Sequence, residues 1–180
     1  MMQHITEEVK KLFVSHFKMD PVGIDKLPQS GSDRIYFRLH TNDKTFIATY
    51  NNNIAENNTF INFSNHFKQA NVPVPQIIAV NNTATIYIQE DFGDTSLLQV
   101  LEKEGHTDHV FSLFRKSLSA LAHMQIVGDK GLQYDWCITS KEFGKRAILT
   151  DLLYFKYYFL DTLKIPYDKE KLIDDFEALA

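Results

Sequence analysis

The residues between Thr85 and Leu97 are the first stretch of this chain whose types and order could do chemistry. Ile86, Tyr87 and Ile88 read as a strand that ends at Gln89-Glu90-Asp91, crosses a short extended link through Phe92 and Gly93, and feeds a helix. Backbone groups in such a link have no sheet partner, so the C=O of Glu90 and the N–H of Phe92 can face one way and read a flat, hydrogen-bonding ring such as adenine. An ordinary strand-to-helix connector has the same grammar. A second candidate is Ser30-Gly31-Ser32-Asp33, small polar residues whose backbone N–H groups would face an anion if the strands that follow fold over as a flap. The plain alternative is a hairpin entry. A third is Glu56, one helical turn ahead of Phe60 on an inward face, where an unpaired carboxylate is costly unless it lies at the helix rim or meets a cation. Two other sets fall away: His106 and His109 share a helix face without further metal ligands, and Cys137 has no histidine at motif spacing.

The elements that must position these residues follow from periodicity. Thr6 to Lys18 places Val9, Leu12, Phe13 and Phe17 on one face of an amphipathic helix. A weak extended stretch, 21–29, precedes the turn cluster, and then Arg34 to Leu39 alternates, with Arg34, Tyr36 and Arg38 on a charged face and Ile35, Phe37 and Leu39 opposite. Thr41 to Lys44 turns the chain into a return strand, Thr45 to Tyr50. A helix from about Ile54 to Ala70 buries Phe60, Phe63, Phe67 and Ala70, and Asn71-Val72-Pro73-Val74-Pro75 must be extended, because each proline pushes its predecessor out of helical geometry. Strands over 76–80 and 84–90 complete the first half. Beyond the link, Asp94 or Thr95 is expected to cap a helix ending at Gly105, and Thr107 a longer one to about Ile126 with Phe111, Phe114, Leu118, Leu121, Ala122 and Gln125 as its bundle face. A loop anchored by Trp136 leads to helices over 146–163, rich in aromatics, and from 168 onward.

Composition narrows the class. With 180 residues, 44% of them hydrophobic, the chain has enough apolar surface for a core in one domain or two small lobes. The formal net charge of -4 gives no basic footprint, so nucleic acid is not an expected partner. A single cysteine precludes an internal disulfide, and residues 1–18 lack the apolar core of a signal peptide, which together fit a reducing cytoplasm. The most apolar run, 147–160, is interrupted by Asp151 and Lys156 and is too short to span a bilayer, so no membrane role is expected.

Taken in order, Leu27-Pro28-Gln29-Ser30-Gly31-Ser32-Asp33-Arg34, Tyr36-Phe37-Arg38, Glu56-Asn57, Val72-Pro73-Val74-Pro75 and Gln89-Glu90-Asp91-Phe92-Gly93-Asp94 resemble the aminoglycoside phosphotransferase and choline kinase-like family. The branch that looks nearest is the amino-sugar kinases of bacterial cell-wall recycling, whose helical lobe the 151–160 segment also resembles. The resemblance implies an α+β, protein-kinase-like N-lobe over residues 1–91, an antiparallel sheet of about five strands with one inserted helix, followed over 92–180 by the first helices of a helical C-lobe. It implies ATP as phosphoryl donor with Mg2+, and a sugar-like acceptor. Ser30, Gly31, Ser32 and Asp33 would cover the phosphates, Glu56 would be the inserted-helix glutamate, and Glu90, Asp91 and Phe92 would hold adenine.

Two departures shape the expectation. No lysine stands in Phe46-Ile47-Ala48-Thr49, where the family's nucleotide-gripping lysine belongs; Lys44 lies at the entrance of that strand. Glu56 then needs Arg34 or Arg38 as its cation, unless these arginines are solvated strand charges or hold acidic residues elsewhere. The family's catalytic His-x-Asp…Asn loop and metal-binding aspartate also have no counterpart, since no histidine follows His123. Asp91-Phe92-Gly93 precedes the helical lobe and so marks the link, not a magnesium site, and in His106-Thr107-Asp108 the required asparagine is Leu113. The expectation is therefore the N-terminal portion of an ATP-dependent sugar kinase that does not turn over alone. Its rival is a non-catalytic nucleotide- or partner-binding module, and uncovered apolar helix surface would favour self-association in either case.

Overall fold

Antiparallel pairing of five short strands organises the N-terminal part of the chain. The computed structural model describes residues 2–29, 31–138 and 142–180. Strands β1 (Gly23–Lys26), β2 (Ile35–His40), β3 (Thr45–Tyr50), β4 (Ile77–Val80) and β5 (Ile86–Glu90) form one sheet in the order β1-β2-β3-β5-β4, all neighbours antiparallel. The expected weak extended stretch at 21–29 is thus an edge strand, its register set by Asp25 opposite Arg38. The β2–β3 hairpin closes through Thr41, whose N–H donates to the Lys44 carbonyl at 2.9 Å and whose hydroxyl donates to the same atom at 2.8 Å.

Helix α1 (Met2–Phe17) covers one face. It begins a turn earlier than the Thr6 signal, and Ile5, Val9 and Phe13 are buried against Phe37, Leu39, Phe46, Ala48, Ile86 and Ile88. Phe46 meets Phe13 edge-on at 6.2 Å and Phe17 at 4.8 Å between ring centroids, so three aromatic rings pack together at this corner. Helix α2 (Ile54–Gln69), inserted between β3 and β4, takes the opposite face, where Phe60 stacks on the buried Tyr87 at 5.3 Å. β3 is consequently buried on both sides, with Phe46 and Ala48 toward α1 and Ile47 and Thr49 toward α2. The α2 aromatics Phe60, Phe63 and Phe67 are half-buried, while Asn57 and Ser64 are its fully buried residues. Asn57 Nδ2 donates to the carbonyls of Asn51 and Ala84, at 2.9 and 2.8 Å, tying the helix start to the β4–β5 turn.

Helix α3 (Leu97–Glu104) is capped by Ser96, not by Asp94 or Thr95: Gln99 N–H donates to Ser96 Oγ at 3.1 Å and Ser96 N–H to Gln99 Oε1 at 2.7 Å. Thr107 caps α4 (Asp108–Val127) as its sequence implies. The bundle face expected on α4 is corrected. Phe111, Phe114, Leu118 and Leu121 are exposed, and the helix buries Val110. Two apolar stripes share this helix, and the inner one continues to His123, whose ring nitrogen lies 3.1 Å from the Ala70 carbonyl. Trp136 anchors its loop as expected, accepting from Thr59 Oγ1 at 2.6 Å and packing near Phe63.

The chain divides into two compact units, Met1–Ile138 and Thr139–Ala180. In the second, α5 (Lys145–Phe155) runs into a π-helical turn, Lys156–Asp161, and α6 (Lys169–Leu179) follows Asp168 as N-cap. The single helix expected over 146–163 is therefore interrupted, and its aromatics Tyr154, Tyr157 and Tyr158 are exposed. Lys156 closes the wide turn, donating to Asp161 at 2.8 Å while Tyr167 donates to the same carboxylate at 2.7 Å. Among the described residues no helix is long and apolar enough to cross a membrane.

Candidate functional site

Glu56 acquires its position from a cap. Asn53 Oδ1 accepts from Glu56 N–H at 3.1 Å, which fixes Glu56 in the first turn of α2, beside the sheet face that carries Arg34, Tyr36 and Arg38. There Glu56 Oε1 accepts from Arg34 Nη2 at 2.6 Å and Oε2 from Asn51 Nδ2 at 2.8 Å. Arg34 also lies over the Phe60 ring, 5.8 Å from its centroid, and its buried Nε has no hydrogen-bond partner among the described residues. The cation that the inward carboxylate needs is Arg34. Arg38 has different partners.

Arg38 points from β2 to the link after β5. Its Nε and Nη2 donate to Asp91 at 2.6 and 3.3 Å, and its Nη1 and Nη2 to Asp94 at 2.7 and 2.8 Å. The two carboxylates are unequal. Asp91 has only 3% of its side chain exposed and also accepts from Thr45 Oγ1 at 2.7 Å and from Gly93 N–H at 2.8 Å, whereas Asp94 is 77% exposed. The Gly93 N–H reaches back to the carboxylate two residues earlier, and the left-handed φ of 80° at Gly93 then turns the chain that follows. Burial pushes the Asp91 carboxyl up, but Thr45, Arg38 and the Gly93 N–H together outweigh it and hold the group below its ordinary range. Asp94 is held low chiefly by its hydrogen bond from Arg38.

The link is thereby clamped to the sheet. On its other side, Glu90 N–H donates to the Gln76 carbonyl at 3.0 Å, and the Glu90 carboxylate accepts from Gln76 N–H and from Lys68 Nζ, both at 2.9 Å. The Gln76 N–H bond, then Lys68, lowers the Glu90 pKa. An open depression of about 430 Å³ lies at this end of the sheet, lined among others by Lys44, Phe46, Gln76, Glu90, Asp91 and Phe92. Lys44 Nζ sits over the Phe46 ring, 4.9 Å from its centroid, and Phe92 is mostly exposed.

Gly31, Ser32 and Asp33 form an exposed loop between β1 and β2, held by Gln29 Nε2 donating to the Ser32 carbonyl at 3.2 Å. Ser30 lies outside the described residues. The structure thus brings Arg38 to Asp91 and Arg34 to Glu56, and leaves the 31–33 loop without a hydrogen bond to the link among the described residues. Asp94, Thr45, Asn51 and Lys68 join these clusters beyond the residues singled out from sequence. Asp94 had a readable signal: two acids bracketing Phe-Gly, immediately after a strand whose neighbour but one carries an arginine on the same face. Among the described residues no group of three or more histidine, cysteine or acidic side chains is placed to hold a metal.

Comparison with protein-family models finds no match to this chain, and comparison with curated proteins finds none either.

Proposed function

We propose that this chain is the nucleotide-binding portion of an ATP-dependent small-molecule kinase, of the aminoglycoside phosphotransferase and choline kinase-like kind, acting on a sugar-like hydroxyl. One observation carries the reading. A five-stranded antiparallel sheet holds a helix between its third and fourth strands, and that helix presents a first-turn glutamate to a sheet cation, Arg34 to Glu56 at 2.6 Å. In this reading Arg34 supplies the cation that the missing strand lysine would give, paired with Glu56 and lying over Phe60. Phe92 N–H and the Glu90 carbonyl take the purine edge, and the 31–33 loop lies over the phosphates. ATP would supply the phosphoryl group; these residues bind and orient it, and none of them is assigned the acid-base or metal-binding part of the transfer.

A second reading, a nucleotide- or partner-binding module without transfer, is favoured by Arg38, whose donors are spent on Asp91 and Asp94. Calorimetric titration of the protein with ATP, with and without Mg2+, tests the common core of both. Saturable binding that weakens at least tenfold in Arg34→Met, with the circular dichroism spectrum retained, supports the proposal. Absence of binding under both conditions refutes it, and transfer of a labelled γ-phosphate to amino sugars separates the kinase from the module.

A further inference from the structure

Helix α4 is apolar over more of its circumference than its own packing uses. Its inner side buries Val110, with Leu113, Met124 and Val127 half-buried. On its outer side Phe111, Phe114, Leu118, Leu121 and Ile126 are each between 40% and 70% exposed. At about 100° per residue these side chains fall within roughly 140° of the helix surface, the width of a face that ordinarily meets a core. Phe111, Phe114, Leu118 and Leu121 also follow one another at spacings of three, four and three, which is the spacing of a seam that packs against a second helix. Between Phe111 and Ile126 the polar side chains in that arc are Arg115 and Gln125, and no acidic residue occurs from 109 to 128.

We infer that this outer face of α4 is a docking surface for a second copy of the chain. The area fits that occupant. At these exposures each of the five large side chains leaves on the order of 100 Å² to water, about 500 Å² together. An ordinary dimer interface takes about 800 Å² from each partner, and in homodimers about 65% of it is apolar, which is about 520 Å². The charge pattern fits as well, because a face that carries one arginine and no acid asks for no complementary charge from its partner. Two copies laid antiparallel about Lys116 set Phe111 against Leu121 of the second copy and Phe114 against its Leu118, so each ring meets an aliphatic side chain and the contact repeats on both sides of a two-fold axis. Arg115 lies toward one rim of the arc, where its stem covers apolar surface while the guanidinium stays in water. The inference is independent of the nucleotide site, since none of these side chains belongs to the clusters around Glu56 and Asp91.

Sedimentation velocity on the whole chain, over concentrations from about 1 to 100 μM, tests this, since interfaces of this size bind at micromolar or tighter and the dimer should be the main species at the upper end. Leu118→Glu places a carboxylate in the middle of the face, on a side chain 66% exposed, and should weaken association at least about tenfold with the circular dichroism spectrum retained. Leu118→Ser, the milder change, should weaken it in the same direction. Tyr154→Glu, at a similarly exposed aromatic of the second unit, should leave association unchanged. Amide hydrogen exchange at 111–122 should slow as wild-type concentration rises and should not do so in Leu118→Glu. A wild type that sediments as a monomer throughout overturns the proposal. So does self-association that both Leu118 variants leave intact, or that Tyr154→Glu abolishes instead.

Discussion

Removing the Asp91 carboxylate should be the most damaging polar substitution in the sheet. In Asp91→Ala the acceptor is lost to Arg38 Nε at 2.6 Å, Thr45 Oγ1 at 2.7 Å and Gly93 N–H at 2.8 Å, at a site where Asp91 is 3% and Arg38 16% exposed. Breaking a buried ion pair from one side costs about 3–5 kcal/mol, because the remaining charge is left desolvated. Asp94 still holds the outer edge of Arg38, so the low end, about 3 kcal/mol, applies. For a urea dependence near 2 kcal/mol per molar, the unfolding midpoint then falls by roughly 1.5 M. Asp94→Ala should leave that midpoint within its scatter, since its carboxylate is solvated before and after. The double variant Arg38→Met/Asp91→Leu should recover most of the loss, because an apolar pair replaces both charges. Urea titrations followed by circular dichroism measure all three. Equal effects of Asp91→Ala and Asp94→Ala, or no recovery in the double variant, would refute the reasoning.

Other consequences are open to the same instruments. Phe13→Ala should destabilise the N-terminal unit by about 3–5 kcal/mol, since its fully buried ring packs on Phe17 and Phe46; a change under 1 kcal/mol would mean α1 is not part of the cooperative core. Glu56→Ala removes the acceptor of Arg34 and of Asn51, and a loss of about 1–2 kcal/mol is expected at this half-exposed site, read from the thermal midpoint. Acid unfolding should be linked to Asp91. Its folded pKa lies below the unfolded value, so its stabilisation is complete above about pH 4 and is lost as pH falls through the depressed folded pKa. Asp91→Asn should flatten stability against pH below 4, and an unchanged slope would assign acid sensitivity to other groups.

Much of the fold was legible because its signals are local. The period-two alternation of Arg34 to Leu39, the proline pair at 73 and 75, and the stripe Val9, Phe13 and Phe17 each dictate an element and a face, and the sheet and α1 follow them. The need of Glu56 for a cation was equally readable, though choosing Arg34 over Arg38 depends on where α2 starts along β2, which no local pattern encodes. Three features were not legible for the same kind of reason. Asp94 looked like a helix cap because acids before helices usually are, but Arg38 recruits it from 56 residues away and Ser96 caps instead. The π-helical turn at 156–161 leaves apolar periodicity nearly unchanged, since it depends on Lys156, Asp161 and Tyr167 meeting across a widened turn. On α4, apolar residues on two faces gave a choice of stripe, and tertiary contacts to Ala70 and α2 select the one containing Val110.

The central claim concerns where a purine sits, and amide chemical-shift mapping of the isotope-labelled protein during ATP titration addresses it directly. Shifts concentrated at Phe92, the 89–94 link and Gly31 to Asp33, saturating together, are the predicted result. Shifts confined elsewhere, for example to residues 144–151 at the start of α5, or a spectrum that ATP does not alter, would contradict the account.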